Sequence, residues 1–116
     1  MITKALAVFH DYGNHPWDPI LKTGFKHCFC SVASGEYWIL IDSRMGLPHV
    51  EVVSRSAYDL KQFYEDQGYT VVAIERGRPT KLPFIHSNCV GMVKSVLGIK
   101  TFAFTPYQLY RSLTDD

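Results

Sequence analysis

Cys89 follows Asn88 at the start of a segment, Asn88 to Leu97, that has short-helix spacing and is stopped by Gly98. At a helix start, unpaired backbone N–H groups and the positive end of the helix dipole favour a thiolate. An ordinary thiol, with a pKa of about 8.5, is mostly protonated at neutral pH, and the thiolate is the nucleophile. The bland alternative is a small buried apolar residue in the first turn, as most unpaired cysteines are. A catalytic thiolate also needs a histidine to take and return protons. Five are present: His10, His15, His27, His49 and His86. His27 leads because it lies inside a predicted strand, where a base is easier to hold at hydrogen-bond range than on a loop. Its alternative is a hydrogen-bonded core histidine. His86, three residues before Cys89, lies on the incoming loop.

The same side chains offer ligands suited to zinc, as His27-Cys28-x-Cys30 and His86-x-x-Cys89. The spacing argues against it. Strand alternation places the Cys28 and Cys30 sulfurs on one face and His27 on the other, next to Phe29 and Ser31. Structural zinc sites usually draw on turns with two to four intervening residues, and neither pair has one. Cys28 and Cys30, with Val32, are expected to line a buried face of a sheet, and no metal or cofactor is expected.

The elements that must position these residues can be read in outline. Strands are predicted over Lys4 to His10, Lys26 to Ala33, Glu36 to Asp42, His49 to Ser54 and Tyr69 to Glu75. Ser34-Gly35 marks a hairpin. The stretch Asp11 to Gly24, with His15-Pro16-Trp17-Asp18-Pro19, is a long loop. A helix is predicted over Ser56 to Gly68, with Ser56 as N-cap and Gly68 past its C-terminus. Thr105-Pro106-Tyr107-Gln108 opens a last helix with a capping box. Five strands and three helices, grouped and not alternating, imply an α+β fold with a mainly antiparallel sheet.

Composition narrows the partners. The 116 residues are 47% apolar and 20% charged, which fits one globular domain spanning 1–116. Twelve Lys and Arg face eleven Asp and Glu, a net charge of +1, so no nucleic acid partner held mainly by charge is expected. No apolar run approaches the roughly 20 residues needed to span a bilayer, and the first residues do not read as a signal sequence. An odd count of three cysteines points to reduced thiols in a cytoplasmic setting. Arg76-Gly77-Arg78-Pro79-Thr80-Lys81 is a basic loop that could meet an acidic group, though such runs are usually solvated surface.

A histidine early on a strand, then a hairpin, then a later Asn-Cys opening a helix resembles the permuted NlpC-type branch of the papain-like cysteine peptidase superfamily. Lecithin retinol acyltransferase-like proteins belong to that branch. Gly24-Phe25-Lys26-His27-Cys28-Phe29 looks like its histidine strand, and Asn88-Cys89-Val90-Gly91-Met92-Val93-Lys94 like its Asn-Cys-x-x-x-Val helix start. The chain also resembles short uncharacterised reading frames of tailed bacteriophages, with a Thr-Pro-Tyr-Gln-Leu-Tyr ending. The resemblance implies an antiparallel sheet packed against the cysteine-bearing helix, with Cys89 as nucleophile and His27 as base. The family's usual third group, a histidine on the strand after the hairpin, is missing from Tyr37 to Asp42. Asp42 is the candidate to orient His27, with Glu36 as the alternative. Trp17, in the loop ahead of the His27 strand, and Asn88 are the candidate substrate contacts. The implied activity is a thiol-dependent hydrolase or acyltransferase acting on an amide, ester or thioester carbonyl of a peptide or acyl substrate. The alternative is an inactive module that binds a protein partner in a phage virion or in host takeover.

Overall fold

Five runs of alternating or continuous apolar residues form five strands. The computed structural model describes residues 2–11, 24–44, 47–74, 89–99, 101, 103 and 105–114. The strands are β1 (Ile2–His10), β2 (His27–Ser34), β3 (Tyr37–Arg44), β4 (Leu47–Arg55) and β5 (Thr70–Ile74). They make one sheet in the order β4-β3-β2-β1-β5, antiparallel throughout. Among the described residues three helices accompany it, α1 (Leu60–Asp66), α2 (Cys89–Leu97) and α3 (Pro106–Thr114), so the α+β expectation holds.

The β2–β3 hairpin turns through Gly35, whose φ of 62° lies in the left-handed region that glycine enters without strain. Helix α1 starts later than expected. Its N-cap is Asp59, whose Oδ1 accepts from the Gln62 backbone N–H at 3.1 Å. Ser56 is not the cap, because its backbone N–H donates to the Glu36 carbonyl at 2.7 Å and Tyr58 N–H to the Arg55 carbonyl, which makes a turn. At α3 the capping box forms in both directions: Gln108 N–H donates to Thr105 Oγ1 and Thr105 N–H to Gln108 Oε1, each at 3.2 Å.

The central strands β1 and β2 are buried on both faces. On one face Ala5, Ala7, Phe9, Cys28, Cys30 and Val32 pack under Cys89, Val90, Val93 and Leu97 of α2 and Leu109 of α3. On the other, Leu6, Val8, Phe29 and Ala33 pack with Trp38 under Leu60 and Tyr64 of α1. The expected Cys28, Cys30 and Val32 face is therefore present and buried. Tyr107 and Tyr110 of α3 pack against Phe25, and Tyr110 also meets Phe9, so this face of the helix is packing. Tyr37 and Phe63 are exposed despite their size.

Leu109 has no exposed surface and joins α3 to the α2 side of the core. Leu109→Ala is expected to lower the unfolding free energy by about 2–5 kcal/mol, measured by urea denaturation. A loss below about 1 kcal/mol would mean that α3 is not part of the cooperative core.

Candidate active site

His27 is the first residue of β2. The β2–β3 ladder begins only at Cys30↔Ile41, so the first turn of β2 has backbone that β3 does not pair. At this end of the sheet, groups from its two faces come together. Asp42 lies near the end of β3 on the same face as Trp38 and Leu40, and its Oδ1 is 2.7 Å from His27 Nε2. Both are largely buried, and Asp42 is only 7% exposed. Cys89, the first residue of α2, comes from the opposite face. The His27 ring and Cys28 are the neighbours that act on its sulfur and lower its pKa. With Nε2 engaged by Asp42, the other ring nitrogen, Nδ1, is the one left for the sulfur.

The electrostatics follow from these contacts. The hydrogen bond from Cys28 is the largest influence on Cys89, and burial opposes it. The His27 hydrogen bond and charge add to Cys28, and together they bring the Cys89 thiol down to about 5. Burial pushes His27 down, but its hydrogen bonds to Asp42 and Cys89 and the charges of both outweigh burial and lift it to about 9. Between those limits the favoured state is a thiolate beside an imidazolium. Cys28, fully buried, is held well above the ordinary thiol range, chiefly by desolvation and next by the neighbouring thiolate. It therefore stays protonated.

His10 lies opposite His27 in the β1–β2 register, with ring centroids 5.1 Å apart. Its ring also packs on Phe29 and Tyr69. Burial first, then the His27 charge, lower His10 to about 4, with Asp42 and Asp11 opposing. The two adjacent histidines thus divide sharply: His27 holds the proton and His10 remains neutral. The sequence reading did not bring His10 into the site. The signal was its position at the strand end, but the register depends on a pairing that no short turn specifies.

His10 also makes stability depend on pH. Its folded pKa of about 4 lies below the unfolded value of 6.5, so its share of stability is complete above pH 6.5. That share is lost as pH falls from 6.5 toward 4, because the unfolded chain takes the proton and the folded chain does not. His10→Phe keeps an aromatic ring against Phe29 and Tyr69 and removes this proton. The variant is expected to lose less stability than the parent over that interval, by on the order of 2–3 kcal/mol. Parallel denaturant melts at the two ends check it, and equal losses would place the His10 ring in water.

The structure thus brings Cys89, His27 and Asp42 together. It separates Glu36, which lies at the other end of the β2–β3 hairpin beside Arg55 with Oε2 3.6 Å from its Nη1. Glu36 therefore does not orient His27. His49 lies opposite Asp42 in the β3–β4 register and pairs with Glu51 at 3.2 Å. Trp17, Asn88, His15, His86 and the basic stretch Arg76 to Lys81 lie outside the described residues. Cys30 is buried, and its S–H donates to the Ile41 carbonyl at 3.7 Å. Among the described residues, no group of three or more His, Cys, Asp or Glu is placed to hold a metal ion. Nor is any of their helices long and apolar enough to cross a membrane. No family model, curated protein or solved structure matches the chain.

Proposed function

We propose that the chain is a thiol-dependent hydrolase or acyltransferase, with Cys89 as nucleophile, His27 as acid and base, and Asp42 as the residue that orients His27. One observation carries the reading: the Cys89 thiol is lowered to about 5 beside a His27 raised to about 9 and anchored to Asp42. The thiolate attacks an amide, ester or thioester carbonyl carbon, and the carbonyl electrons move to oxygen. The backbone N–H of Cys89, unpaired at the helix start, is a donor for that oxyanion. The His27 imidazolium protonates the leaving group as the carbonyl reforms, giving an acyl-enzyme on sulfur. Neutral His27 then takes a proton from water or from an acceptor, which attacks the thioester and restores the thiolate.

The order of parts, a histidine strand and hairpin followed by a helix opened by cysteine, supports a permuted NlpC-type papain-like assignment. An aspartate replaces the family's usual third group. A second reading is favoured by one observation, the 5% exposure of Cys89. On it, the chain is an inactive papain-like module with a structural or interaction role in a phage virion or in host takeover. Chromophore release from an aryl ester, an aryl thioester and a peptide anilide separates the two. Turnover of at least one compound is expected for the parent and is lost in Cys89→Ala. Equal background release by both proteins on all three would leave the second reading.

A further inference from the structure

Cys28 is absent from the acyl-transfer steps above, yet it is packed in the same buried cluster as the nucleophile. Of the groups around Cys89, it is the one that lowers that thiol most. The two come from β2 and α2 and are packed in one buried cluster with Ala7, Phe9 and Val93. Neither is in a disulfide in this structure. Cys30, two residues along the same face, has its own acceptor, the Ile41 carbonyl. The sulfur chemistry is therefore shared by Cys89 and Cys28 and not by Cys30.

We infer that Cys28 is the resolving thiol for Cys89, and that a hydroperoxide converts the pair into a reversible Cys28–Cys89 disulfide. In the first step the Cys89 sulfur attacks the peroxide O–O bond. Hydrogen peroxide, as the simplest member of the class, leaves hydroxide, which is protonated to water, and Cys89 becomes a sulfenic acid. In the second, the Cys28 sulfur attacks the Cys89 sulfur. The S–O bond breaks, and the Cys28 proton leaves with the hydroxyl as water. Altogether two thiols give up two electrons and two protons, and one peroxide becomes two waters. The second step is intramolecular, so complete burial of Cys28 does not impede it; only the small oxidant must reach Cys89. The lowered thiol favours the first step, and in the second the Cys28 proton is lost as its sulfur attacks. The disulfide blocks the nucleophile and protects it from irreversible oxidation. The inference requires a reactive Cys89 but no acyl chemistry, so it stands or falls separately from the proposed function.

The test treats the folded parent chain with a slight excess of hydrogen peroxide and then counts free thiols after denaturation. The count is expected to fall from three to one, with a Cys28–Cys89 crosslink in nonreducing peptide maps and full recovery with dithiothreitol. Cys30→Ala is expected to give the same crosslink. Cys28→Ala is expected to react more slowly and to stop at a Cys89 sulfenic acid trapped by dimedone, or at the sulfinic acid. If Cys28→Ala does not fold, the parent map and Cys30→Ala still decide. A parent chain that loses only the Cys89 thiol, forms Cys28–Cys30, or loses no thiol would overturn the inference.

Discussion

His27→Ala is expected to slow alkylation of Cys89 by iodoacetamide about ten- to a hundred-fold near pH 6, with the fold retained. His27 supplies both a hydrogen bond and a positive charge to a thiol lowered to about 5, second only to the Cys28 hydrogen bond among the groups that lower it. Removing both moves the thiol upward by one to several units, and each unit costs a factor of ten in thiolate once the pKa passes the working pH. The parent profile is expected to rise near pH 5, whereas the variant profile rises well above it. Peptide mapping assigns the label, and Cys28 and Cys30, both without exposed surface, are expected to label far more slowly. His86→Ala is expected to match the parent. The reverse pattern for the two variants would assign the proton partner to His86.

Asp42→Asn is expected to reduce turnover about a hundred- to ten-thousand-fold, with KM little changed. The amide oxygen can still accept from Nε2, so the ring keeps a partner, but the negative charge that stabilises the imidazolium is gone. His27 then titrates below about 9, and the alkaline limb of the pH–rate profile moves down while the acid limb moves up. These limbs belong to the Cys89–His27 pair together. The narrowing of the profile identifies Asp42 as a positioning residue, because a mere loss of folded protein would scale the whole profile without changing its shape. Asp42→Ala should lose the orientation as well and fall further.

The strands were legible because alternation and glycine turns mark them locally, as in the β2–β3 hairpin about Gly35. Cys89 and His27 were legible by residue type and element: a thiol opening a helix and a base on a strand. Their pairing was expected, but its geometry was not legible, since the central strands are buried on both faces. His27 alternates with Phe29 toward α1, while Cys89 lies over Cys28 and Cys30 under α2. They meet because His27 is at the strand end, beyond the β3 ladder, and pairing in space determines that end. The choice between Asp42 and Glu36 was open for the same reason. Only the hairpin geometry puts Asp42 near the start of β2 and Glu36 at the far turn. Ser56 has a good capping side chain, but its backbone N–H is already committed to Glu36, and α1 waits for Asp59.

The thiolate absorbance of the parent minus that of Cys89→Ala, followed through a pH titration, isolates the ionisation of one sulfur. Ion pairing with His27 places its midpoint near 5, with at most a small further change as His27 deprotonates near 9. A single midpoint at the ordinary thiol value, near 9, would show an unactivated cysteine and contradict the thiolate–imidazolium site.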